Sequence, residues 1–213
     1  MITFKALGAL LDYPTPELQA ALDEVERAIA EERAIAAGEI EGVRAVIERL
    51  RCSDIMDAQE YWIGLFDRSK RLALHLYEHS YGESRDRGQA MVNLALTYRM
   101  NGFELNAAEM PDYLPVFLEF LSVVPEVHAR RYLTDAIEII EALRIRLEER
   151  DSTYAALLGA LVSLASREAD VDQVEAILAE EPVDFAAGSA LKDCPYAGAV
   201  ARDRAAELAR AGA

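Results

Sequence analysis

Apolar positions recur at intervals of three and four along most of the chain. Leu18, Ala21, Leu22, Val25 and Ile29 form one stripe. Ile40, Val43, Ile47 and Leu50 form a second, and Leu133, Ala136, Ile140, Leu143 and Leu147 a third. Leu157, Leu158, Leu161, Val162 and Ala165 begin a fourth. This spacing places one apolar face on a helix, to be buried against other helices. Alternating runs of Val, Ile, Thr and Tyr, which would signal strands, are nearly absent. The predicted fold is all-α, a single-domain helical bundle.

The punctuation between stripes agrees. Thr15 can cap a helix whose first turn holds Pro16 and Glu17. Gly38 interrupts the first two stripes and predicts a helical hairpin there. Asn101-Gly102 ends a helix through MVNLALTYRM, and Pro125 separates LPVFLEFLSVV from the next helix. Pro115 lacks the N–H that a helix interior needs, so its helix should begin near Asp112. Leu114, Phe117, Leu118 and Leu121 then share one face, while Glu109, Asp112 and Glu119 look outward. Glu181-Pro182 closes the last periodic segment. The expected organisation is a helical domain over 1–182 and a C-terminal tail over 183–213, partly disordered or carrying a short terminal helix in AVARDRAAELAR.

Composition narrows the class. The 213 residues include 38 acidic and 22 basic side chains, a formal net charge of −16, and 52% are hydrophobic. A surface this acidic repels nucleic-acid phosphates and anionic lipid headgroups, and suits a basic partner. No run approaches the roughly 18 unbroken apolar residues of a membrane span. The short apolar run Ala6–Leu11 ends at Asp12 and Pro14, which does not fit a secretory signal. Cys52 and Cys194 lie far apart and make a poor disulfide framework, so a reducing, cytoplasmic location is expected. Cys52 reads as a small apolar filler between Leu50 and Ile55.

The densest chemistry lies in HLYEHSYGESRDRG, residues 75–88. His75, Glu78 and His79 spell H-x-x-E-H, in which two helical histidines could hold zinc beside a glutamate base. A third ligand is not evident: His128 falls on another predicted helix. Glu83, Arg85, Asp86 and Arg87 fit a solvated helix start with Ser84 as cap. Tyr61, Trp62, Ile63, Leu65 and Phe66 form an aromatic and apolar cluster that is either core or the wall of a hydrophobic pocket. No nucleophile elbow, P-loop or dinucleotide-binding glycine motif is present.

Two stretches taken together are specific. LALHLYEHSYGESRDRGQAM, residues 72–91, and EMPDYLPVFLEFLS, residues 109–122, resemble the NarJ family, the assembly chaperones of respiratory nitrate reductase also called its delta subunit. Leu10-Leu11-Asp12-Tyr13-Pro14 and the Tyr61…Leu65-Phe66-Asp67-Arg68 segment fit as well. The resemblance spans about residues 1–182. It implies the all-helical TorD-like fold and a cytoplasmic, non-enzymatic chaperone. Its partner would be the immature catalytic subunit of nitrate reductase, held chiefly by an N-terminal segment while the molybdenum cofactor is inserted. Cofactor-delivery proteins are further candidate partners. No cofactor or metal is expected to be tightly bound by the chaperone itself; the client receives the molybdenum cofactor.

The resemblance also implies where the client binds. Its signature segments are His75–Tyr81, with Tyr77 and Tyr81, and Glu109–Asp112, with Tyr113 following. A basic amphipathic segment calls for an apolar groove with an acidic edge. Tyr61, Trp62, Phe66 and the Leu114–Phe117 face are the expected walls; Glu78, Glu83, Asp86, Glu109, Asp112 and Glu119 the rim; His75 and His79 the lining. Arg85 and Arg87 complete the candidate set, either as rim or as ties between helices. Histidine titrates near neutrality, so client binding is expected to vary with pH. Three alternatives stay open: a sibling chaperone for another molybdoenzyme, a zinc-dependent hydrolase using His75, Glu78 and His79, and a structural helical subunit.

Overall fold

The structure, a computed structural model, describes residues 1–81, 85–106 and 109–179, with the backbone alone at 80, 81 and 85. These residues lie in one compact unit, Met1–Pro182. The expected tail, with Cys194, falls outside the described residues, as does Ser84. The chain is all-α: among the described residues the sole β-type pairing is an isolated bridge, His75 to Tyr113.

The core is built on helices that are apolar nearly all round. α1, Ile2–Leu11, is the short N-terminal apolar run of the sequence, and it is buried: Phe4, Leu7, Leu10 and Leu11 are fully enclosed. It packs on α7, Leu114–Val123, whose Leu114, Leu118, Phe120 and Leu121 are also enclosed. Gly8 permits the close approach. A Cβ there would sit 3.1 Å from the Pro115 carbonyl oxygen and 3.2 Å from the Leu118 Cβ.

Amphipathic helices cover this centre. α2, Pro16–Glu32, is capped by Thr15, whose hydroxyl accepts the Leu18 N–H at 3.1 Å. α3 is Ala37–Cys52 and α4 Ile55–Trp62, the latter capped by Asp54. α4 runs into a π-turn at Ile63–Asp67 and a 3₁₀ turn at Lys70–Leu72. α5, Glu78–Tyr81, and α6, Arg85–Met100, follow. α6 is pinned near its end by Tyr98, fully buried against Phe120 at 4.4 Å, and closes at Gly102 with φ 75°. α8 is Glu126–Asp135, α9 Ile137–Glu148, α10 Ala155–Leu164 and α11 Val171–Ala179.

Three local expectations need correction. The α2–α3 break falls at Arg33, which takes the left-handed conformation (φ 53°), while Gly38 lies inside the first turn of α3. Four residues, Arg33 to Ala36 with buried Ile35 among them, make the hairpin, so the stripe ended before the glycine. The Leu133–Leu147 stripe is two helices, broken at Ala136 (φ −111°, ψ 6°). Thr134 bonds back to its own helix there: its hydroxyl donates to the Arg130 carbonyl at 2.6 Å and accepts the Ser166 N–H at 2.9 Å, a local pairing that bends helices. Cys52 is no core filler. It is exposed, and its thiol donates to Glu48 at 3.0 Å, because its place in the last turn of α3 faces solvent.

Candidate functional site

The backbone brings the two resembling stretches edge to edge. The Leu114 N–H donates to the Leu74 carbonyl at 2.8 Å, and the Leu76 N–H to the Asp112 carbonyl at 3.0 Å. Leu74, Leu76 and Leu114 are buried, so this short antiparallel joint is nailed to the core from one side. The alternation of an extended chain then turns His75 and Tyr113 the other way, rings 5.2 Å apart. Both line a cavity of about 280 Å³ together with Trp62, Phe66, Asp67, Lys70 and Glu78.

The aromatic wall is fixed by directional bonds. Trp62 Nε1–H donates to the Leu11 carbonyl at 2.8 Å, and its ring packs on Phe66 and, edge-on, on Tyr13, each at 5.4 Å. The Tyr113 hydroxyl donates to Asp12 Oδ1 at 2.9 Å; burial and then that carboxylate push its pKa up, so the phenol stays protonated. Tyr61, expected in the wall, instead turns away from the cavity, donating to Ser152 at 3.0 Å beneath the Arg49 guanidinium.

Asp112 is the electrostatic pivot. It is fully buried, against the expectation of an exposed rim residue, because its carboxylate closes the joint. Oδ2 accepts the Tyr77 N–H at 3.1 Å, Oδ1 lies 3.3 Å from His75 Nδ1, and Arg87 stands at 3.9 Å. A carboxylate only accepts, so the proton of this contact belongs to His75 Nδ1. Arg87 also donates to Glu78 at 3.2 Å, tying the first turn of α6 to α5. Tyr77 joins through its backbone, with its ring half-buried against the core.

The other expected residues are scattered. His79 is buried and does not line the cavity. Nε2–H donates to the Ala73 carbonyl at 2.8 Å, and Nδ1 accepts from Arg146 at 3.4 Å. Burial pushes its pKa down, and the Arg146 charge adds to that, so the ring is neutral. This also undoes the zinc reading: α5 begins only at Glu78, so His75 and His79 share no helical face, and Glu78 is bound to Arg87. Phe117 is buried in the core. Glu119 reaches Lys5 at 3.0 Å on the α1–α7 surface, away from the cavity. Asp86 and Glu109 are exposed, outside the cavity lining. The side chains of Tyr81, Glu83 and Arg85 lie outside the described residues.

Sequence reasoning missed Asp12, Asp67 and Lys70 as neighbours of the site. The signal was present, since LLDYP and LFDR both carry the resemblance. Their place beside residues 75 and 113 depends on tertiary packing alone.

Residues 12–159 match the family described as nitrate reductase delta subunit. The nitrate reductase molybdenum cofactor assembly chaperone NarJ of Escherichia coli strain K12 is 38% identical over 184 residues, 86% of this chain and 78% of that one. The probable assembly chaperone NarW of the same strain is 34% identical over 82% of this chain and 72% of its own length. The probable NarJ of Bacillus subtilis strain 168 is 32% identical over 76% of this chain and 87% of its own.

Proposed function

The chain belongs to the nitrate reductase delta subunit family, and from that premise we propose that it chaperones the immature catalytic subunit of a respiratory nitrate reductase in the cytoplasm. It holds that subunit, mainly by its N-terminal segment, competent for molybdenum cofactor insertion. The chain is a chaperone and not a catalyst. Among the described residues no helix is long and apolar enough to cross a membrane.

One observation carries the client-binding part. The two stretches of strongest resemblance are paired by backbone hydrogen bonds, and their outward side chains, His75 and Tyr113, meet Trp62 and Phe66 at one cavity. Its edge carries Asp67 and Glu78, with Asp12 close by on Tyr113. Aromatic anchors supply the affinity for an amphipathic segment, and the carboxylates select its basic residues and speed encounter. Rigid joints of this sort also lower the ordering cost of binding.

Calorimetry with a synthetic peptide of the catalytic subunit's N-terminus tests this. The wild type should bind, more weakly as salt rises. Trp62→Ala should cost about 2 kcal/mol, roughly thirtyfold in Kd, with little change in fold. Binding untouched by Trp62→Ala and by Glu78→Gln would remove this cavity from the reading.

A further inference from the structure

A second trough lies on the far side of α9. Arg146 on that helix faces His79 and the Arg71 carbonyl. Glu141, Arg144 and Glu148 project about half a turn away from it. There α9, α10 and α11 leave an open depression of about 740 Å³, floored by Ile145, Val162, Ala165, Val174 and Leu178. It shares a wall of Glu141, Val162 and Ser163 with a neighbouring hollow of about 640 Å³ that runs over Gly159 toward Glu39. The floor is apolar yet open: Val171 at its mouth is 67% exposed.

The rim charge is one-sided. Arg144 is consumed by Glu141 and Glu148, and Arg167 by Glu138. Glu39, Glu168 and Glu175 also line the two hollows and have no cation against them among the described residues. An apolar strip of this size flanked by carboxylates is complementary to a helix with one apolar face and lysine or arginine on its flanks. The chain carries a formal net charge of −16, so two copies repel one another and a second copy is a poorer fit than a basic partner. We propose that the α9–α10–α11 trough is a second docking surface that takes a basic amphipathic helix of a partner protein, separate from the His75–Tyr113 cavity. It does not depend on the client assigned to that cavity.

The probe is a 14-residue peptide of leucine and lysine with all leucines on one helical face, titrated into the full chain by amide NMR. Its control is an isomer with the leucines spread round the helix. Shifts should gather at Ile145, Val162, Val174 and Leu178. Val162→Glu should weaken binding about tenfold, and Glu168→Gln with Glu175→Gln, both at the surface, should flatten its salt dependence. Trp62→Ala should leave the shifts at those four positions unchanged, whatever it does to shifts at the His75–Tyr113 cavity, which separates failure here from failure of the client-binding cavity. Equal binding of the isomer, shifts confined to the His75–Tyr113 cavity, or a trough already filled by a second copy in sedimentation would overturn the proposal.

Discussion

The α1–α7 crossing and the His75–Tyr113 joint meet at Leu114 but are held by opposite means. The crossing is apolar on both sides and depends on volume, with Leu7, Leu10, Phe120 and Leu121 fully enclosed. Many hydrophobic combinations of similar size would satisfy it. The joint encloses a carboxylate, flanked by a half-buried histidine and arginine, whose polar contacts admit few substitutes. Fold is therefore carried by shape and pattern, while the joint depends on polar groups that demand particular residues.

The largest test of that division is Phe120→Ala. Phe120 is enclosed by Tyr98, Phe103 and Tyr132, with ring separations of 4.4, 5.9 and 5.5 Å. Truncation should cost about 4 kcal/mol in denaturant unfolding. Phe120→Leu should recover most of that, as expected for a volume-dependent core. Asp112→Asn comes next. It keeps an acceptor for the Tyr77 N–H but removes the charge facing His75 and Arg87, and should cost about 2 kcal/mol. Its distinguishing readout is peptide affinity, which should fall with it, whereas Phe120→Leu should leave affinity unchanged. If both variants lower affinity alike, the joint has no role apart from the core.

The same division explains what was legible in the sequence. The stripes of α2, α3 and α10 were readable because burial on one face imposes a period. The α8–α9 break was not, since Thr134's back-bond leaves the apolar period undisturbed. At the site, the resemblance picked out His75, Glu78, Tyr113, Trp62 and Phe66, which do share a cavity. It gave no means to tell a lining residue from its support. Asp112 and His79 have the polarity of rim residues, and only tertiary burial shows that they face inward. Glu119 shares a stretch with Tyr113, but six residues of helix carry it round to Lys5.

His79 offers a smaller effect with a definite sign. The unfolded chain protonates this ring near the ordinary value of about 6.5, and the folded chain only at lower pH. The unfolded state therefore binds more protons below that value, and stability falls as pH drops through it. The slope from this residue is at most about 1.4 kcal/mol per pH unit. His79→Gln should flatten the decline in Tm between neutral and mildly acidic pH, at some cost in stability at neutral pH. A decline of unchanged steepness would place the titrating group elsewhere.

The smallest expected effect sharpens the comparison most cheaply. Glu78 and Glu119 are both glutamates in the two resembling stretches, and both hold a cation, Arg87 at 3.2 Å and Lys5 at 3.0 Å. The first pair is about three-quarters shielded and lies at the cavity; the second is half exposed. Exposed pairs contribute about 0–1 kcal/mol because water screens them and the long side chains lose freedom. Glu119→Gln should thus change unfolding free energy by less than about 0.5 kcal/mol and leave client-peptide affinity and its salt dependence alone. Glu78→Gln should weaken that affinity and reduce the salt dependence. Equal losses from the two variants would mean that net acidity alone draws the peptide, and that the cavity's geometry confers no selection.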